Sequence, residues 1–182
     1  MEVVKFKFRY YKDVKNIYLE SFPKEERYLS FRELVYNSMM NKAHMYCLID
    51  GDKAQGFIYN ILCKNMLFVL YLAVSSKKRS SGYGSKLMQW CLENYNEKTI
   101  FLNIDEVDEK FEDYDIRKKR LNFYLNNNFK ITDYLSVEED CNFNILSSKQ
   151  DIEVEEYKKL DLAVAKILKD KPSRIVKKEE LK

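Results

Sequence analysis

Strand-like and helix-like apolar patterns alternate along this 182-residue chain, which predicts a single α/β domain on a mixed sheet. The run 66–74, MLFVLYLAV, is almost continuously apolar and rich in β-formers, as expected of a central strand covered on both faces. No repeat, low-complexity linker or shift of composition divides the chain, and its length suits one ordinary domain with a full core.

Each element has its own signal. Val4, Phe6, Phe8 and Tyr10 alternate with polar residues and predict a first strand over 4–10. Val14, Ile17, Tyr18 and Phe22 then recur at helical spacing up to Pro23. Phe31, Leu34, Val35 and Met39 share the face of a second helix that Ser30 can cap. The runs 45–50 and 54–62 flank Asp50-Gly51, a hairpin signal that leads into the central strand. Leu87, Cys91 and Tyr95, with Met88 and Leu92 beside them, mark a helix over 83–94. A short strand, TIFLNID, follows at 99–105. A basic helix in IRKKRLNFYLNN comes next, then strands in FKITDYL and CNFNIL. Tyr157, Leu160, Val164, Ile167 and Leu168 give an amphipathic helix before Pro172, and the charged tail beyond it is expected to fray.

Composition excludes several functional classes. Hydrophobic residues make up 46% and aromatic residues 14%, too much for a disordered chain. No apolar run nears the roughly 20 residues that span a bilayer. The N-terminus, MEVVKFKFRY, alternates instead of forming the apolar block of a signal peptide. A cytoplasmic protein without a membrane partner is expected. A net charge of +3 argues against nucleic acid as partner. The four adjacent basic residues at 117–120 also point all round a helix and make no stripe. Cys47, Cys63, Cys91 and Cys141 are far apart, and His44 is the only histidine, so no metal site is expected. The cysteines read as buried thiols, and His44 as a partly exposed structural residue.

Only four glycines occur, yet Gly82 and Gly84 lie one residue apart between the central strand and the next helix, in RSSGYGS. The first N–H groups of a helix lack intrahelical partners and carry the positive end of its dipole, so an anion fits there if the backbone can be approached. Ser80, Ser81 and Ser85 offer hydroxyls, while Lys77, Lys78 and Arg79 supply charge. The loop is neither a Walker A sequence nor G-x-G-x-x-G. Alone it is compatible with a pyrophosphate site or with a tight connection. About forty residues on, Phe123 and Tyr124 close a helix that Asn126, Asn127 and Asn128 can terminate in the left-handed conformation, ahead of Phe129. Taken singly, Tyr124 reads as packing.

Together, V-x-x-x-x-R-x-x-G-x-G opening a helix (Val74, Arg79, Gly82, Gly84) and the later F-Y…F (Phe123, Tyr124, Phe129) resemble the GNAT family of acyl-CoA-dependent N-acetyltransferases. The order of elements extends the resemblance over about 1–147, and SFPKEER at 21–27 is similar to the link between the first two helices in some members. Three positions depart from the family pattern. Ser76 stands where many members have proline, Asn128 replaces a glycine, and Arg117 replaces an asparagine that contacts the pantetheine arm, where it could reach a phosphate instead.

The resemblance implies one GNAT-like domain, 1–147, followed by a C-terminal helix and charged tail, 148–182. Its sheet would be mixed and mostly antiparallel, splayed at strands four and five, with helices on both faces. Acetyl-CoA would be the co-substrate and a primary amine, of a small molecule or a protein, the acceptor. Direct attack would take place in a ternary complex. A non-catalytic acyl-CoA-binding module of the same fold is the alternative. Leu72, Ala73 and Val74 would bond the pantetheine arm, and the Val74 amide would polarise the thioester. Arg79, Ser80, Ser81, Gly82, Tyr83, Gly84 and Ser85 would cradle the pyrophosphate. Tyr124 is the implied general acid. The base is open between Asp105 and ordered water with backbone carbonyls. The seven carboxylates in 105–115 read either as a steering field for a cation or as a solvated loop. The acceptor is expected against residues 11–40, with Glu20, Glu25 and Glu26 as candidates. The last helix would cover the sheet or a partner subunit, giving a monomer or a homodimer.

Overall fold

The computed structural model describes residues 1–139, 141–150 and 152–181. The chain is of the α/β class expected and forms two compact units, Met1–Leu62 with Val69–Asn96, and Cys63–Phe68 with Glu97–Lys182.

The first unit holds β1 (Glu2–Lys5), α1 (Tyr11–Ser21), α2 (Phe31–Met39), β2 (His44–Asp50), nearly all of β3 (Lys53–Cys63), the later part of β4 (Met66–Val74) and α3 (Tyr83–Asn94). Strands β1 to β4 lie side by side in chain order. The β2–β3 hairpin turns at Gly51, whose φ of +64° is the left-handed region that Asp50-Gly51 leads one to expect. Ser30 and Glu33 form a reciprocal capping box at the start of α2. Successive β3 side chains point to opposite faces. Phe57 packs on Tyr18 of α1, and Tyr59 donates to the Leu34 carbonyl of α2. Asn60, on the other face, donates to Cys91 of α3. Helices therefore cover both faces of this strand, which explains why it is buried without a break from Gly56 to Ile61.

The second unit holds the start of β4, then β5 (Thr99–Asp105), α4 (Tyr114–Asn126), β6 (Lys130–Val137), β7 (Asn142–Ser147), α5 (Val154–Leu168) and β8 (Arg174–Lys177). Its strands follow the order β4-β5-β7-β6-β8. Met66, Leu67 and Phe68 pair in parallel with Thr99, Ile100 and Phe101, and the other pairings are antiparallel, so the sheet is mixed. On β5, Tyr157 of α5 stacks edge-on against Phe101 and donates to Asn103 at 2.9 Å.

Three expectations need correction. The first strand stops at Lys5 instead of Tyr10, because its partner β2 begins at His44. The Phe6 amide makes a last bond to Met45, and Phe8–Tyr10 turns into α1. Met39, expected on the buried face of α2, is exposed. The charged tail does not fray throughout: Arg174–Lys177 pairs antiparallel with β6. Lys169 ends α5 in the left-handed conformation, and Asp161 takes the Ser173 amide at 2.8 Å, returning the chain to that edge.

Cys47 and Cys91 are buried, and burial pushes each thiol up to about 12, so both are inert. The expectation fails at Cys141, which is exposed, and at Cys63, which is half-buried. Among the described residues no helix is long and apolar enough to cross a membrane, and no group of three or more His, Cys, Asp or Glu could hold a metal ion.

Candidate active site

In the first unit the segment between β4 and α3 is built from local backbone rules. The Ser75 amide bonds the Gln55 carbonyl at 2.8 Å, which ties the end of β4 to β3. One 3-10 turn, Ser76–Lys78, follows, and Arg79 is extended. Ser80 then takes φ +60° and Gly82 φ +80°, both left-handed, before α3 begins. Gly82 occupies the N-cap and brings no side-chain acceptor to the helix start. A Cβ built on Gly82 would meet nothing within 4 Å, so its backbone angle, not crowding, calls for glycine, and open space lies above it. Gly84 lies inside the first turn of α3 with no positive φ. A helical glycine costs about 1 kcal/mol relative to alanine. Arg79, Ser80, Ser81 and Gly82 are exposed, whereas the Tyr83 side chain is buried. Tyr83 can therefore offer a ligand its amide but not its phenol.

The phenol has another partner. Tyr83 donates to Asp50 Oδ2 at 2.6 Å, and Lys78 Nζ lies 3.4 Å from the same oxygen. Tyr83 first, and Lys78 second, hold the Asp50 carboxyl below its ordinary range. Sequence reasoning treated Asp50 only as a turn residue.

Leu72, Ala73 and Val74 form the end of β4. Behind them stands Gly56 of β3, where a Cβ would come within 2.9 Å of Val74 Cγ1 and 3.0 Å of both the Ala73 oxygen and Leu87 Cδ1. Gly56 lets β3, β4 and α3 close on one another. An isolated glycine in a strand-like run was the available signal. Tyr71, on the same strand, takes a bond from the Tyr28 amide at 3.1 Å and donates to the Glu26 carbonyl at 3.2 Å. The connection between α1 and α2, which carries Glu25 and Glu26, is thus pinned to β4. Arg27 bonds the Phe22 and Leu19 carbonyls and closes the end of α1. Glu20 accepts from Ser76 at 3.3 Å.

In the second unit the end of α4 is a complete Schellman motif around Tyr124. The Phe129 amide bonds the Tyr124 carbonyl at 3.1 Å, the Asn128 amide bonds that of Leu125 at 3.2 Å, and Asn128 is left-handed at φ +66°. The ring of Phe129 packs on that of Tyr124, as does that of Phe123. The Tyr124 side chain is half-buried, and loss of water around its phenol pushes it up to about 12, against a smaller opposing effect of Arg120. It stays a neutral proton donor at ordinary pH. Asp105 is held by Arg120 at 2.5 Å. Arg117 bonds Asp113 at 2.7 Å and the Glu106 carbonyl at 2.9 Å and stacks over Phe111, so it ties down the acidic segment. Lys110 pairs with Glu106 and Asp108 in the same segment.

The profile of the acetyltransferase (GNAT) family matches residues 11–112, more than half of the chain. The chain belongs to the GNAT family. Solved structures agree in fold. A GNAT-family acetyltransferase from Bacteroides thetaiotaomicron superposes with a TM-score of 0.74 at 21% identity, covering 92% of this chain and 98% of that one. An aminoglycoside 6'-N-acetyltransferase complexed with coenzyme A gives 0.66 at 19% identity, over 84% of this chain and all (100%) of that one. The aminoglycoside 6'-N-acetyltransferase of Enterococcus faecium gives 0.63 at 18%, with the same coverages of 84% and 100%. No curated protein matches this chain. The GNAT match makes the α3 N-terminus and the end of β4 the places where the family's acyl-CoA chemistry is to be sought.

Proposed function

We propose that this GNAT protein transfers an acetyl group from acetyl-CoA to a primary amine of a small molecule, by direct attack in a ternary complex. The observation that carries the reading is the exposed, uncapped start of α3, with Gly82 left-handed behind a run of serines and basic residues. A pyrophosphate there accepts from backbone N–H groups and meets the positive end of the helix dipole. Leu72, Ala73 and Val74 bond the pantetheine arm as an added strand would, and the Val74 amide polarises the thioester carbonyl.

The neutral amine attacks that carbonyl, the carbon–sulfur bond breaks as the tetrahedral intermediate collapses, and Tyr124 gives its proton to the leaving thiolate and regains one from water. The proton lost by the amine leaves through water and backbone carbonyls, because the Asp105 carboxylate is already paired with Arg120. A small-molecule acceptor is favoured by the likeness to aminoglycoside acetyltransferases.

The test is a thermal-shift titration of wild type and Gly82→Glu with acetyl-CoA, CoA and ATP. A ligand at 100 times its Kd adds about 2.7 kcal/mol. The reading expects stabilisation by the CoA species alone, lost in a variant that still melts cooperatively. Absence of any shift in the folded wild type at millimolar ligand would defeat it. A CoA shift without release of CoA thiol on any amine would make the chain an acyl-CoA-binding module.

A further inference from the structure

We propose that Asp50, at the end of β2, is a positioning residue of the pyrophosphate loop, because one of its carboxylate oxygens holds both ends of the segment 79–82. The inference rests on the reading above.

The geometry is compact. Asp50 Oδ2 takes the Tyr83 hydroxyl at 2.6 Å and faces Lys78 Nζ at 3.4 Å, while Lys78 Nζ lies 5.1 Å from the centre of the Tyr83 ring. Lys78 closes the 3-10 turn before the loop, and Tyr83 is the first residue of α3 after it. Between these anchors, Arg79 to Gly82 are exposed, and Ser80 and Gly82 both have positive φ. A left-handed residue other than glycine is strained. It persists only where the surroundings determine it. An exposed four-residue segment supplies little of that determination itself, so the anchors must. Asp50 is suited to the task because the β2–β3 register, Asp50 opposite Lys53, fixes its backbone independently of the loop.

The choice of a carboxylate is itself informative. Beside an anion site a negative group repels the ligand, and a neutral asparagine would still accept from the Tyr83 hydroxyl, though more weakly. What a carboxylate adds is a stronger bond to that hydroxyl and the ion pair, which keeps the Lys78 ammonium over the Tyr83 ring. The brace therefore has two separable parts, a hydrogen bond that sets the start of α3 and an ion pair that sets the cation.

Calorimetric Kd values for CoA and for acetyl-CoA, with steady-state KM and kcat, separate the possibilities. Asp50→Ala should raise the Kd of both ligands and the KM of acetyl-CoA about tenfold, leaving kcat and the acceptor KM unchanged. Tyr83→Phe and Asp50→Asn should each give part of that loss. Asp50→Ala combined with Tyr83→Phe should bind no worse than Asp50→Ala alone, since both remove the same bond. Asp50→Asn and Tyr83→Phe carry the test if Asp50→Ala fails to fold. Wild type that binds CoA, with variants that bind it equally well, would overturn the role of Asp50 and leave the acetyltransferase reading intact. Variants that lose kcat and melting temperature together with no selective change in CoA affinity would also overturn it. Wild type that binds no CoA would sink both.

Discussion

Tyr124, the proposed general acid, shows how surroundings condition a side chain. Its carbonyl closes a Schellman motif, its ring contacts those of Phe123 and Phe129, and its phenol is pushed up to about 12. Tyr124→Phe keeps the packing and removes only the proton donor. It should lower kcat about 100-fold or more, with the Kd of acetyl-CoA unchanged; full kcat with a verified acceptor would end the general-acid assignment. Asp105→Asn should cost less than about tenfold in kcat, since general acid–base groups contribute 100-fold or more. A larger loss would restore Asp105 as base. His44, the chain's one histidine, gives a pH prediction. Burial, and then the charge of Lys5, lowers its pKa from 6.5, while its Nδ1 meets the Tyr95 hydroxyl at 3.0 Å. The unfolded chain therefore takes up this proton first as pH falls. The contribution is fully present above 6.5 and is lost as pH falls through the lower folded value. Melting curves from pH 8 to pH 5 should show wild type losing ground to His44→Gln. Parallel curves would refute this. The Schellman cap was legible in Asn126–Asn128 before Phe129, because that turn has a local chemistry. The pairing of Asp105 with Arg120 was not, because it depends on where β5 meets α4.

At the scale of elements, the junction of β3, β4 and α3 depends on Gly56. A methyl group there would stand 3.0 Å from the Ala73 oxygen, and a backbone atom cannot swing aside as the tip of a side chain does. Gly56→Ala should destabilise the fold by about 1–3 kcal/mol. It should also raise the KM of acetyl-CoA by shifting the strand end proposed to bind the pantetheine arm. Thermal melts with KM measurements check this, and an unchanged melting temperature would show that the junction yields freely. Most elements were legible because their signals are local. The capping box is written in Ser30 and Glu33, the hairpin in Asp50-Gly51, and the central strand in its apolar run. Those that escaped lack such a signal. The strand β8 is four residues, RIVK, with two apolar side chains, and only the open edge of β6 makes it a strand. The first strand was overread for the complementary reason, since its alternation runs on after its partner has ended.

For the molecule as a whole the open question was what α5 covers, and its buried face supplies a physical answer. Tyr157, Leu160, Val164 and Ala165 are buried, with Tyr157 on Phe101 and Asn103 of β5 in the same unit. The three larger of these side chains together contribute about 5–9 kcal/mol at about 1.5–3 each. That is comparable to the whole margin of about 5–15 kcal/mol that holds a domain folded. Removing α5 also removes β8, which leaves the β6 edge unpaired. A chain ending at residue 152 should therefore fail to fold or melt far below the full chain, and should aggregate through the exposed edge. Circular dichroism melts with light scattering on both chains decide the matter. A shortened chain that keeps its melting temperature but falls from dimer to monomer mass would mean that the helix serves a subunit interface. Loss of the fold would mean that α5 belongs to the core of its own unit, whatever the number of subunits.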